Sequence, residues 1–254
     1  MTDTALTSSI AQLIVDAGRD RQPIVEIPAD QVPADPGAAY ALQQEILRLR
    51  GSRAGGWKIG SKSHTGPIQG APLPADCLLP SGSSVEKAAY FPPILELEIA
   101  FRFNRDFAPR AEAYSDEEVR QGIGYMAATI ELVASRFAAW PKVEPLLALG
   151  DLLNHGALAV GEFIEYREDF PFAEPQMTFT FAGQDIVPGK PANPAGDPRR
   201  LLAWLVNHHT GKGLALNKDT VITCGSFTGM YVVEGPGIAE GKINGLPAVS
   251  LSLA

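Results

Sequence analysis

The sequence predicts an α+β fold: a small helical N-terminal part, residues 1–55, followed by a larger strand-dominated part, residues 56–254. Three observations carry this. Residues 93–104 (PILELEIAFRFN) alternate apolar and polar with a period of two, the signature of a strand with two unlike faces. Residues 125–133 (YMAATIELV) form a nearly continuous apolar run of strand length, which suits a strand buried on both sides. Helical spacing is confined to residues 4–18 and 38–51 at the N-terminus, one short segment near 115, and one late segment after Asp197.

In chain order, the first helix spans 4–18, with Leu6, Ile10, Leu13 and Ile14 at helical spacing and Thr7 or Ser8 as its cap. The Pro- and Asp-rich stretch 20–37 reads as a loop holding one short strand. A second helix runs from Ala38 to Gly51, closed by Arg48, Arg50 and the glycine. GGWKIGSKS is a glycine-flanked strand, and residues 63–84 form a long loop with short strands. Ser115 caps a short helix, with Glu118 completing a capping box. LLALGDLLNHGALAVG is a tight turn followed by a strand. QMTFTFAGQDIVPGK is a hairpin with the polar tip AGQD. Asp197 caps an amphipathic helix whose Leu201, Leu202, Leu205 and Val206 face inward and which Gly211 ends. His208 and His209 suit the negative end of its dipole. The last forty residues are short strands separated by glycines.

Composition excludes several classes. The chain has 254 residues, 45% of them apolar and 20% charged, too apolar for a disordered protein. No apolar run reaches the roughly 18 residues of a membrane-spanning helix, so no membrane role is expected. A net charge of −8 without a basic stripe argues against a nucleic-acid partner. The 25 glycines and 21 prolines lie well above the roughly 12% of average proteins and indicate many turns. Two distant cysteines, Cys77 and Cys224, make no disulfide framework, and the N-terminus lacks a signal peptide. The expectation is a cytoplasmic protein.

Candidate chemistry starts with Glu96 and Glu98. Two apart on a strand, they share a face, with Leu95, Leu97, Ile99 and Phe101 on the other. Like charges so placed repel, and a divalent cation would cancel the repulsion; a solvated strand face is the plainer reading. Glu131 stands alone in the apolar run. It either pairs with a cation such as the nearby Arg136 or converges on Glu96 and Glu98 as a third ligand. Three carboxylates without clustered His or Cys favour a hard ion, Mg²⁺ or Mn²⁺. Lys58, between glycines in GGWKIG, is a candidate acid/base or anion-binding group. GSFTGM at 225–230 is no dinucleotide fingerprint. It is a close-approach loop whose Ser226 and amide groups suit a carboxylate. His64 sits in a turn where it could line the mouth of a site. Neither a nucleophile elbow nor a P-loop is present.

Taken in order, these segments resemble the hydratase/decarboxylase branch of the fumarylacetoacetate hydrolase superfamily. The resemblance runs from about residue 35 to the C-terminus. It rests on Ala39, Tyr40 and Gln43 of the second helix, GWKIG, the spaced Pro67, Gly70, Leu73 and Asp76, LELEIAF, IELVASRF, Asp151 and Asn154, GSFTGM and EGPG. The ELE pair followed by ELVASR some thirty residues later is the most specific part. The loop 62–75 and the segment 137–149 depart from the pattern in their prolines, and both would shape the substrate pocket.

The resemblance implies a curled, barrel-like mixed sheet. It implies Glu96, Glu98 and Glu131 as ligands of Mg²⁺ or Mn²⁺, and Lys58 and Asp76 as catalytic groups. Ser226, Gly225, Ser135 and His64 are implied as substrate-binding groups. It further implies a homo-oligomer acting on a small 2-oxo or 2-hydroxydienoic acid in aromatic catabolism. The implied reaction is addition of water to a 2-hydroxy-2,4-dienoate to give a 4-hydroxy-2-oxo acid. The same charge-stabilised enolate would serve a 4-oxalocrotonate-type decarboxylase or an acylpyruvate C–C hydrolase. A non-catalytic 2-oxo acid binder or partner subunit is the reading from outside the enzymes.

Overall fold

The computed structural model describes residues 3–254, with side chains from Thr7 onward. Helix α1 (Asp3–Asp20) buries Ile10, Ala11, Ile14 and Ala17, while Leu13 is 43% exposed. Thr7 and Ser8 do not cap this helix, because it already begins at Asp3; Ser8 Oγ instead donates to Glu45 Oε1 at 2.8 Å. The side chain of Leu6 lies outside the described residues. Segment 20–37 forms no strand, only a single bridge between Ile24 and Phe137. Helix α2 (Pro36–Leu49) starts two residues before Ala38, because Asp35 accepts from the amide of Ala38 and Pro36 occupies the first turn. Gly51, at φ +61°, takes the left-handed conformation that ends it.

Strand β1 (Ala54–Ser61) pairs antiparallel with β2 (Ile68–Pro74), so the expected long loop contains a seven-residue strand. The next strands, β3 (Leu78–Pro80) and β4 (Ser83–Val85), are short. The two long strands, β5 (Ile94–Phe103) and β6 (Ile123–Val133), lie antiparallel. Between them helix α3 (Asp116–Arg120) carries the complete Ser115–Glu118 capping box. The segment read as a tight turn holds helix α4 (Pro145–Gly150) before β7 (His155–Val160). After β8 (Ile164–Glu165), β9 (Met177–Phe181) and β10 (Gln184–Asp185) form the hairpin. Its tip is only Ala182–Gly183, both at positive φ, and Gln184 and Asp185 belong to the strand.

Asp197 caps a short 3₁₀ turn, Pro198–Leu201, which runs into α5 (Leu202–Thr210). Leu201, Leu202, Leu205 and Val206 are all buried. Burial, with Lys212 and His209 nearby, pushes the His208 imidazole down to about 4. It is neutral at pH 7 and stacks on Trp204 rather than answering the helix dipole as a cation. The chain closes with β11 (Val221–Thr223), β12 (Tyr231–Val232), β13 (Gly237–Ile243) and β14 (Val249–Leu253).

The architecture is α+β with two mixed sheets, neither closed on itself. The nine-stranded sheet runs β2-β1-β11-β5-β6-β7-β3, with β12 beside β5 and β8 beside β6. The five-stranded sheet runs β10-β9-β13-β14-β4. The main core lies between the sheets. Leu95, Leu97, Ile99 and Phe101 of β5 and Met126, Ala128, Ile130 and Leu132 of β6 pack with Phe179, Ala239 and Leu251. Gly241 is required there, since a Cβ would lie 2.4 Å from Leu97 Cδ1. A second apolar cluster joins α1, α2 and α4 through Ile10, Ile14, Leu42, Ile46 and Leu147. The other face of β5 and β6 is therefore free to carry polar groups.

Candidate metal centre

The alternation of β5 turns Glu96 and Glu98 away from the core. The register sets Glu96 opposite Glu131 and Glu98 opposite Thr129 on β6. Like charges directly across a strand pair destabilise a sheet, so this arrangement needs a compensating cation. One carboxylate oxygen from each of Glu96, Glu98 and Glu131 lies within 4.8 Å of the others.

Each carboxylate is held differently. Glu131 is fully buried. Its Oε1 accepts from Lys58 Nζ at 2.6 Å and from His155 Nδ1 at 2.9 Å, while its Oε2 is buried with no partner among the described residues. Glu98 Oε2 accepts from the Thr223 hydroxyl and from the Gly225 amide at 3.0 Å. Gly225 sits at φ +86°, which turns its N–H toward the carboxylate without strain. No hydrogen bond holds Glu96 among the described residues. Lys58 reaches the cluster from β1, two strands away, and also donates to the Leu153 carbonyl at 3.1 Å.

The electrostatics follow from this packing. Burial and the neighbouring carboxylates push Glu96 up to about 8. Burial and Glu131 push Glu98 up to about 7, against the pull of Lys58 and Thr223. Burial works to raise Glu131 as well, but the Lys58 charge and the His155 contact outweigh it and hold the group below its usual value. Burial works to lower Lys58, and the three glutamates overcome it, so the ammonium stays charged. The donor set is three hard oxygens, and one buried oxygen atom has no partner among the described residues. That fits a hard divalent cation such as Mg²⁺ or Mn²⁺.

A pH dependence follows. From about pH 4.5 to 8 the folded metal-free protein keeps protons on Glu98 and Glu96 that the unfolded chain has released. Its stability therefore falls as pH rises through that window. A cation competes with those protons. Melting of the EDTA-treated protein is expected to drop between pH 5 and 8, while the increment given by Mg²⁺ grows. A pH-independent increment would contradict the ligand set.

The structure distributes the other expected site residues on two sides of the cluster. On the Glu98 side lie Gly225 and Ser226. Ser226 Oγ accepts from Thr228 N at 3.2 Å and donates to the Gly229 carbonyl at 3.2 Å, which fixes the glycine turn. His64 is exposed. Its ring packs on Gly196, whose Cβ would lie 3.0 Å away, and neighbouring Asn193 donates to the Gly225 carbonyl at 2.9 Å. On the Glu131 side, Ser135 is fully buried and accepts from the Phe137 amide at 3.1 Å.

Asp76, expected beside Lys58 among the catalytic groups, bonds to residues of its own neighbourhood. Arg50, at the end of α2, and Ser52 hold its carboxylate at 2.7 and 2.5 Å. Burial opposes, but these two bonds keep it below the usual carboxylate value, which makes it a weak base. Arg136 is not the partner of Glu131 either. It is bound to buried Asp151 and to the carbonyls of Ala134, Asp151 and His155.

Several contributors were not singled out from the sequence. His155 and Thr223 orient two of the carboxylates. The Leu153 carbonyl is presented to Lys58 by a turn in which Leu152, Leu153 and Asn154 all have positive φ, 50°, 52° and 58°. Such backbone costs about 1–2 kcal/mol per residue outside glycine. The Arg136–Asp151 clamp, the Asn154 amide on the Asp151 carbonyl and the Ala134 amide on the Asn154 carbonyl hold it in place.

No family model matches the chain. It is 25% identical over 265 residues to the TodF product hydratase of Pseudomonas putida, covering 99% of this chain and 98% of that protein. It is 26% identical over 250 residues to the 2-keto-4-pentenoate hydratase of Paraburkholderia xenovorans, covering 94% and 91%. Among solved structures, the 4-oxalocrotonate decarboxylase from Pseudomonas putida, complexed with magnesium and adipate, superposes with a TM-score of 0.85 at 20% identity over 100% of this chain and 99% of that one. The fumarylpyruvate hydrolase from Pseudomonas aeruginosa, in complex with Mn²⁺ and pyruvate, gives 0.60 at 14% identity over 78% and 88%.

Proposed function

We propose that this chain, similar along its whole length to hydratases of the fumarylacetoacetate hydrolase superfamily, is a divalent-metal-dependent hydratase of 2-hydroxy-2,4-dienoates in aromatic catabolism. The observation that carries the reading is the buried cluster of Glu96, Glu98 and Glu131 with charged Lys58 bonded to one of them. A non-catalytic binder has no need of three carboxylates whose burial and repulsion hold two of them well above their usual range.

Glu96, Glu98 and Glu131 would hold the cation. Such an ion supplies stabilisation of negative charge on the C2 oxygen of a 2-oxo acid. The chain's own groups do the rest. Thr223 and the Gly225 amide fix the Glu98 carboxylate, and His155 fixes Glu131, so neither has to reorganise when substrate arrives. Lys58 Nζ holds a proton beside Glu131 and is the group in reach to exchange it. In the overall reaction the C2 hydroxyl proton leaves and one is delivered at C5, giving an α,β-unsaturated ketone. Water then places its oxygen on C4 and a proton on C3.

Asp76 anchors Arg50 in this reading, and Ser226 shapes the glycine turn. Residues 56–254 carry the machinery and residues 1–55 cover it. The protein acts as a cytoplasmic homo-oligomer on a small acid. Among the described residues no helix is long and apolar enough to cross a membrane.

The test is product analysis on the Mg²⁺-loaded protein with 2-hydroxypenta-2,4-dienoate. Loss of the dienol absorbance with formation of a 4-hydroxy-2-oxo acid is expected. Release of CO₂ from 4-oxalocrotonate without hydration would make the protein a decarboxylase. Inertness toward both and toward an acylpyruvate, with metal bound, would sink the enzyme reading.

A further inference from the structure

Strand β11 parts from β5 at Thr223, opposite Ala100, and β12 rejoins β5 at Tyr231, opposite Leu95. Between these points seven residues, 224–230, stand against four of β5, 96–99. The excess lifts the chain off the ladder beside the two β5 glutamates. Backbone groups released from a ladder still need partners. Leu97 finds its own in the turn: its amide donates to Thr228 Oγ1 at 3.2 Å, and its carbonyl accepts from the Phe227 amide at 3.0 Å. The carbonyls of Cys224 and Gly225 are served by one side chain instead. Asn193 Nδ2 donates to each of them at 2.9 Å.

Asn193 is 4% exposed, and its side chain is fully engaged. Its Oδ1 accepts from the Ala195 amide at 2.9 Å, in a turn that also bonds the Gly196 amide to the Asn193 carbonyl at 2.9 Å. The Ala192 amide on the Phe227 carbonyl, at 2.8 Å, ties the same segment to the glycine turn a second time. An amide side chain puts two donors on one nitrogen with an acceptor beside it, which is what these three bonds require.

The Cys224 carbonyl and the Gly225 N–H belong to one peptide group. In a trans peptide they point opposite ways. Asn193 holds the oxygen on one side, and on the other the N–H donates to Glu98 Oε2 at 3.0 Å. Turning this group over changes ψ at Cys224 and φ at Gly225, and glycine, here at φ +86°, accepts either sign of φ. A reversed peptide would set its carbonyl against the Glu98 carboxylate, acceptor facing acceptor. Glycine lets the turn form, so another group has to fix which way the peptide faces. We propose that Asn193 is a positioning residue of the metal centre: by holding the Cys224–Gly225 peptide it aims the Gly225 amide, and so sets the Glu98 carboxylate for the cation. Hydrogen bonds joined in such a chain polarise one another, which strengthens the hold on Glu98. This role rests on the metal centre and not on the reaction carried out there.

Calorimetry with Mg²⁺ on the full-length protein tests it, with Asn193→Ser, Thr223→Val and the double variant. Serine keeps an oxygen for the Ala195 amide and withdraws both donors from the carbonyls. Removing a group that orients a metal ligand weakens the metal about 10- to 100-fold, and a loss of that size is expected in Asn193→Ser. Thr223 holds the same Glu98 oxygen, so the two losses should not simply multiply. The double variant is expected to depart from their product by more than about twofold, the spread of independent sites. Electron paramagnetic resonance of the Mn²⁺-loaded protein reads the ligand geometry, and Asn193→Ser should alter the Mn²⁺ fine structure. Thermal unfolding checks that each variant is folded, and Asn193→Ala replaces the serine variant if that one is not.

A residue that only braces the fold would lower the melting temperature and leave the Mg²⁺ affinity and the Mn²⁺ spectrum as in wild type. That result, or losses that multiply, overturns the role of Asn193 and leaves the centre standing. Wild-type protein that binds neither ion overturns the centre itself, and the role falls with it.

Discussion

Replacing Glu131 by Gln is expected to lower kcat/KM for a 2-hydroxy-2,4-dienoate by about 10³-fold, the equivalent of roughly 4 kcal/mol of transition-state stabilisation. Two losses combine. In the proposed centre the cation loses a carboxylate ligand, and Lys58 loses the acceptor that sits 2.6 Å from its Nζ. Direct calorimetry with Mg²⁺ should show the binding weakened in parallel. Activity within tenfold of wild type, with Mg²⁺ affinity unchanged, would remove Glu131 from the centre. The substitution is nearly isosteric, so a folded variant is expected, and its metal-free form should be less sensitive to pH above neutrality than the wild type.

The second large effect is on stability. Lys58→Met leaves Glu131 buried with only His155 beside it, and breaking a buried ion pair costs about 3–5 kcal/mol. The sign can be followed with pH. Glu131 lies below its usual value in the folded state, so it contributes stability above its unfolded pKa and loses it as pH falls through the folded value. Without Lys58 that contribution disappears. The gap in unfolding free energy between wild type and variant, measured by urea titration without metal, should be widest near pH 7 and close toward pH 3. The double variant Lys58→Met with Glu131→Gln should lose less than the two single losses together, because each single change strands a charge that the double change removes. Equal and additive losses would show that the pair is not coupled.

Much of this centre was legible because strand periodicity is a strong local signal. The alternation in LELEIAF alone sets Glu96 and Glu98 on one face, and an isolated glutamate in an apolar run marks itself. The capping box at Ser115 and the end of α2 at Gly51 were readable for the same reason: their determinants lie within four residues. What could not be read depends on pairings far apart in the chain. Lys58 meets Glu131 across 73 residues, and Thr223 meets Glu98 across 125. Arg136 was the nearest cation in sequence to Glu131, yet the chain turns it to Asp151, fifteen residues on. The partners of Asp76 were hidden too, because a loop position says nothing of which arginine will bond its carboxylate. The seven-residue β2 was hidden by its prolines and glycine, and it forms because β1 supplies an antiparallel partner along its whole length.

The left-handed turn at Leu152–Asn154 has a consequence for how this protein can be altered. Three non-glycine residues with φ above zero store backbone strain, and glycine would relieve it only with the loss of the buried Leu152 side chain, which packs among Ile14, Ile46 and Leu147. Relaxing the turn would also slacken the carbonyl that meets Lys58. The apolar cluster under the helices and the carboxylate cluster therefore lean on the same three positions, and a change made for the sake of one is felt by the other.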